Sequence, residues 1–199
     1  MGMKTWVVVL IKDFDSAKQR LRPALGVKSR RALARRNALL AVKAAAAGDH
    51  VLAVAGSDEV AELAAVWGAE VLLETREEGQ NVAAERGLKR AIAGGAGAAL
   101  VLSSDLPFIT EAAVRDLLMS VSRLKPPVAV AVPATGRGGT NALYVRPPGA
   151  IDMQFGDDSV ARFRAEAEAK KVRFAVHHSD AMALDLDEPS DLARLSRAG

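Results

Sequence analysis

No cysteine occurs among the 199 residues, which excludes a disulfide framework, a thiolate metal site and a cysteine nucleophile, and suits a reducing cytoplasm. Aromatic residues make up only 4% of the chain, too few to build the stacking platforms that hold single-stranded nucleic acid. No apolar run approaches the roughly 18 residues that span a bilayer, and no signal-peptide pattern opens the chain. No Gly-x-x-x-x-Gly-Lys-Ser/Thr sequence is present, so a P-loop is excluded, and no Gly-x-Gly-x-x-Gly follows the first apolar run, which argues against a dinucleotide fingerprint. The expectation is an unexported protein with no nucleic-acid or membrane partner.

What the chain does have is apolar bulk and a lopsided charge. Half of its residues are hydrophobic and its formal charge is only +3. Yet nine basic residues and two acidic ones fall between Lys12 and Arg36, leaving the remainder net negative. Positive charge packed behind a first strand favours a small polyanion over an extended one. Arg30, Arg31, Arg35 and Arg36 read more simply as the wet face of a helix.

The patterning predicts one α/β domain over residues 1–199. Apolar runs at 5–11, 50–55, 69–73, 98–102 and 128–132 read as buried strands of a mostly parallel sheet. Helices are expected from Ser29 to about 47, over 57–67, from about 81 to 93, over 111–123 and near 158–170. Near-obligatory right-handed crossovers then give a doubly wound sheet with helices on both faces. Residues 142–145 read as a short strand of an inserted antiparallel hairpin. A strand at 172–176, an apolar-acidic segment at 182–187 and a last helix complete the order.

Five constellations sit where such a sheet places ligands, outside the carboxyl ends of its strands. Lys12, Lys18, Arg20 and Arg22 follow the first strand and suit a polyphosphate. Asp105 ends the buried run 98–102 in Ser103-Ser104-Asp105-Leu106-Pro107; it is either a divalent-metal ligand or a turn and helix cap. In Gly136-Arg137-Gly138-Gly139-Thr140-Asn141, backbone N–H groups and the Thr140 hydroxyl can cradle an anion, or the glycines simply make a loop. Phe155-Gly156-Asp157-Asp158-Ser159 opens a helix, with an aspartate as plain cap and Ser159 as a hydroxyl aimed at an anion. In Leu184-Asp185-Leu186-Asp187, alternation puts two carboxylates on one face of a short strand, where they can join Asp105 around magnesium, while Asp191 reads as a helix-cap or dipole residue. His177 and His178 lack a partner at any catalytic spacing.

In order and spacing these motifs, with Ala17-Lys18-x-Arg20-Leu21 and Gly79-x-Asn81, resemble the guanylyltransferases that activate 2-phospho-L-lactate or phosphoenolpyruvate in making coenzyme F420. The resemblance runs over nearly the whole chain. It implies a nucleotidyltransferase fold of the glycosyltransferase-A type and the condensation of GTP with a phosphorylated three-carbon acid, releasing pyrophosphate. It further implies Mg2+ on Asp105 and one or both of Asp185 and Asp187, with Lys12, Lys18 and Asp105 serving catalysis. Lys12, Lys18, Arg20, Gly79 and Asn81 would meet the nucleotide; Gly139, Thr140, Asn141, Gly156 and Ser159 would meet the acceptor acid. A homodimer is left open. Two departures stand out: the glycine-rich loop of the sugar nucleotidyltransferases is replaced by 12–22, and 38–43 lacks an acidic residue. Another magnesium-dependent nucleotidyltransferase acting on a phosphosugar or cofactor precursor, or a non-catalytic nucleotide-binding module, are the alternatives.

Overall fold

Runs of small and branched apolar residues with no polar alternation bury both faces of a strand, and three of them, β1 (Thr5–Ile11), β2 (His50–Ala55) and β4 (Ala98–Ser103), pair as parallel neighbours in the computed structural model. The structure describes residues 3–136 and 138–195. β3 (Glu70–Leu73) adds to the outer edge of β2, and β5 (Val128–Pro133), β6 (Thr140–Arg146) and β7 (Arg173–Val176) complete a seven-stranded sheet in the order β3-β2-β1-β4-β6-β5-β7. β6 runs antiparallel to both β4 and β5, and the other pairings are parallel.

The hairpin expected near 142–145 is therefore β5–β6, but its second strand is longer than expected. It lies inside the sheet, between β4 and β5, and every residue from Thr140 to Val145 is buried. Entering antiparallel brings the start of β6 to the edge where the parallel strands end, which delivers Thr140 to the mouth of the sheet.

Side chains that alternate along each strand feed two cores. Val7, Val9 and Ile11 point into one core with α1 (Val27–Ala45), α2 (Asp58–Val66) and α4 (Glu111–Ser122). Trp6, Val8 and Leu10 point into the other with α3 (Gln80–Ala93) and α5 (Ser159–Ala169). The doubly wound arrangement with helices on both faces is thus observed. The close fit of α3 is made by Gly87, where an added Cβ would lie 2.4 Å from Val8 Cγ1.

Two expectations are corrected. The first helix starts at Val27, capped by Gly26, not at Ser29; at that phase Arg30 turns inward, 6% exposed, and donates to Gln19 Oε1 at 3.1 Å. Arg31 stays at the surface, as expected, and pairs there with Asp15 and Glu59. Residues 184–187 form no strand: a short helix, α6 (Asp180–Ala183), precedes them, and the chain then crosses beneath the sheet edge to α7 (Pro189–Leu195), with Leu186 N–H donating to Asp105 O. No described helix is long and apolar enough to cross a membrane.

Candidate active site

A cleft of about 600 Å³ opens along the carboxyl ends of β1, β2 and β4 and the start of β6, the crevice in which doubly wound sheets bind ligands. Its walls include Lys12, Lys18, Arg20, Gly79, Asp105, Gly139, Thr140, Asn141, Gly156, Asp185 and Asp187. Residues spread along the sequence from Lys12 to Asp187 thus meet in one concavity.

At the centre, Asp105 leaves β4 through the 103–105 turn, its N–H donating to Ser103 Oγ at 3.3 Å. Its carboxylate remains 37% exposed to the cleft and receives Lys18 Nζ at 2.6 Å. Lys18 itself is sealed, with its side chain 1% exposed, and also donates to Leu186 O at 2.6 Å. Its backbone is left-handed, φ 58°, a conformation held only where surroundings over-determine it. Lys18 therefore ties the loop after β1 to the late acidic segment. Lys12 differs: it is exposed on the cleft wall and makes no ion pair among the described residues.

The late segment brings two carboxylates to the same wall. Burial holds the Asp185 carboxyl above the usual aspartate range, offset by a backbone hydrogen bond and reinforced by repulsion from Asp191, Asp105 and Asp187. Asp187 receives Arg20 Nη1 at 2.8 Å, so Arg20 lines the cleft already paired. Asp191 Oδ2 accepts from the N–H groups of Glu188 at 2.8 Å and Asp187 at 3.1 Å, which is the expected capping role. Among the described residues, no three acidic or histidine side chains are gathered closely enough to hold a metal ion by themselves. Two hard carboxylates in one cleft still suit magnesium, which is typically held by one or two carboxylates while substrate phosphates and water complete its shell.

The far wall is a hydroxyl pair. Ser159 is fully buried and donates to Thr140 Oγ1 at 2.9 Å, so Ser159 orients Thr140 rather than facing the cleft itself. Two glycines supply the curvature at this wall. Gly156 has φ +123° and Gly138 φ +66°, values that L side chains adopt only under strain. Asn141 is 4% exposed and donates to Met182 O at 2.8 Å, anchoring α6 under the sheet edge. Asn81 does not line the cleft: its amide donates to Phe155 O at 3.3 Å and accepts from Phe155 N–H at 2.6 Å. It fastens α3 to the Gly156 turn, and the direct nucleotide contact expected of it is not part of this geometry.

Glu74, Glu77, Ser16 and Thr135 also line the cleft without having been singled out in the sequence, and Asp157, read there as a candidate helix cap, lines it too. Glu77 carries a readable trace, as one of three glutamates in the turn-rich stretch before Gly79, but nothing local separates it from its neighbours Glu74 and Glu78.

The chain matches the family model described as "Guanylyl transferase CofC like" over residues 5–199. A phosphoenolpyruvate guanylyltransferase of Rubrobacter xylanophilus is 39% identical over 202 residues, covering 99% of this chain and 96% of that protein. A 2-phospho-L-lactate guanylyltransferase of Methanothermobacter thermautotrophicus is 33% identical over 195 residues, covering 97% and 84%. Among solved structures, a putative nucleotide-diphospho-sugar transferase from Desulfovibrio desulfuricans superposes with a TM-score of 0.78 at 16% identity, covering 99% of this chain and 88% of that one. That likeness carries the fold.

Proposed function

This chain belongs to the CofC-like guanylyl transferase family, and on that premise we propose that it joins GTP to a phosphorylated three-carbon acid, with phosphoenolpyruvate as the first choice of acceptor. The product is a GMP-diphosphate-linked acid, the activated form from which coenzyme F420 is assembled, and pyrophosphate leaves. The observation that carries this reading is the convergence of Lys12, which makes no ion pair among the described residues, the strand-end Asp105 with the late carboxylates Asp185 and Asp187, and a buried hydroxyl pair in one cleft. Full-length identity is higher to the phosphoenolpyruvate enzyme than to the 2-phospho-L-lactate enzyme, which favours the first acid.

An oxygen of the acceptor phosphate attacks the α-phosphorus of GTP while the bond to the β-phosphate breaks, so no covalent enzyme intermediate is required. The protein has two tasks, to hold two polyanions in line and to neutralise the charge that develops. Lys12 faces the GTP phosphates. Thr140, oriented by Ser159, and the Gly139 and Gly156 backbone receive the acid. Asp105 and Asp185, with Asp187 beside them, would hold Mg2+, which when bound supplies charge neutralisation at the α-phosphate. Lys18 positions the carboxylates from below. A reducing cytoplasm suits the cysteine-free chain.

The reading is tested by pyrophosphate release with each nucleoside triphosphate paired with phosphoenolpyruvate, 2-phospho-L-lactate and 3-phosphoglycerate. Release with GTP and one of these acids, dependent on magnesium, is expected. Release from none of the pairs, or equally from all triphosphates without an acid, would overturn it.

A further inference from the structure

Beyond the central carboxylates and the hydroxyl pair, the cleft continues over the ends of β1 and β2, where Leu10, Val54 and Ala83 offer apolar surface. Two carboxylates rim this end. Glu74 is spoken for, its side chain 5% exposed and paired with Arg86 at 2.7 Å. Glu77 is exposed and has no cation partner among the described residues; its Oε2 accepts only a long bond from Ser16 Oγ, 3.3 Å. Its Oε1 packs close to Gly56 at the end of β2, where an added Cβ would lie 3.2 Å from that oxygen and 2.7 Å from Asp13 N.

An apolar floor with one free carboxylate at its rim is a purine site of a particular kind. A carboxylate only accepts hydrogen bonds, and its two oxygens engage two adjacent donors. Among the common bases, guanine alone presents such a pair, N1–H beside the exocyclic N2 amine; adenine and cytosine offer an acceptor in place of the ring donor. We propose that Glu77 is the specificity-determining residue for guanine, accepting from N1–H and N2–H while the ring lies over Leu10, Val54 and Ala83. Glu77 adjoins the loop after β1, where Ser16 Oγ meets it and Lys12 begins, so a base held there leaves the phosphates to run along that loop toward Asp105. The assignment rests on guanylyl transfer at this cleft.

The test compares kcat/KM for GTP and for ITP, which lacks the N2 amine, in wild type, Glu77→Gln and Glu77→Ala with phosphoenolpyruvate as acceptor. Wild type should prefer GTP over ITP by about tenfold or more, and both substitutions should lower kcat/KM for GTP by about 10- to 100-fold and bring the GTP/ITP ratio close to one. The KM for the acid should not change. A merely structural role would weaken GTP and ITP alike, so an unchanged ratio in an active variant overturns the assignment while leaving guanylyl transfer intact. A wild-type enzyme that uses another triphosphate and not GTP overturns both. Should Glu77→Ala fail to fold, the ratio measured on Glu77→Gln decides.

Discussion

At the scale of single residues, chemistry that looks equivalent in the sequence divides by burial. Lys12 and Lys18 both follow the first strand, but Lys18 is sealed against Asp105 and Leu186 O while Lys12 stands free in the cleft. Lys18→Met should therefore lower unfolding stability in urea by about 1–3 kcal/mol, because it strands a buried donor's partners. Lys12→Met should leave stability within about 0.5 kcal/mol and instead raise the KM for GTP. Asp185 has the opposite balance of stability and function. Its folded-state pKa lies above the unfolded value, so its favourable contribution is complete below the unfolded pKa and is lost as pH rises through the folded one. In magnesium-free protein, Asp185→Asn should then melt higher than wild type at neutral pH, the two converging as pH falls through the aspartate range. The same variant should lose magnesium-dependent turnover by about 100-fold or more. A melting difference that grows toward acid would contradict the assignment.

At the scale of elements, the sequence was most legible where a strand is apolar throughout. The runs behind β1, β2, β4 and β5 announce burial on both faces, and helices with side-chain caps, such as α2 behind Ser57 and α4 behind Thr110, begin where their caps stand. The first helix was misplaced because Gly26 caps with backbone alone and leaves no side-chain signature. Residues 184–187 read as a strand from their alternation, but Leu186 is buried by one backbone bond to Asp105 and by the Lys18 brace, long-range contacts that no local pattern encodes. The motifs mark Asn81, Phe155, Thr140 and Ser159 as positions, but that Asn81 bonds Phe155 and Ser159 bonds Thr140 is supplied by the fold. Packing between elements gives a further check. Gly87→Ala drives a methyl into Val8 across the α3–β1 contact and should cost about 1–3 kcal/mol in chemical denaturation. Since α3 carries Gly79 and Asn81 at its start, the same change should also raise the KM for GTP.

At the scale of the whole molecule, one antiparallel strand placed inside a parallel sheet lets both halves of the chain reach the same edge. In the proposed reading, β1, β2 and the start of α3 form the nucleotide end and β6, the Gly156 turn and α5 the acid end, with Asp105, just past β4, between them. A ligand that spans this seam should stabilise the fold as a unit. GTP with magnesium at about 100 times its dissociation constant should add about 2.7 kcal/mol of stability, read as a rise in melting temperature, and Asp105→Asn should abolish most of that rise. The central claim is that the acceptor phosphate attacks the α-phosphorus of GTP in this cleft. Phosphorus NMR of a reaction containing GTP, phosphoenolpyruvate and magnesium tests it most directly. Expected is the acid-dependent appearance of pyrophosphate together with an equal amount of a new asymmetric diphosphate that joins GMP to the acid, absent with Asp105→Asn; GDP and inorganic phosphate, or pyrophosphate formed without the acid, would contradict it.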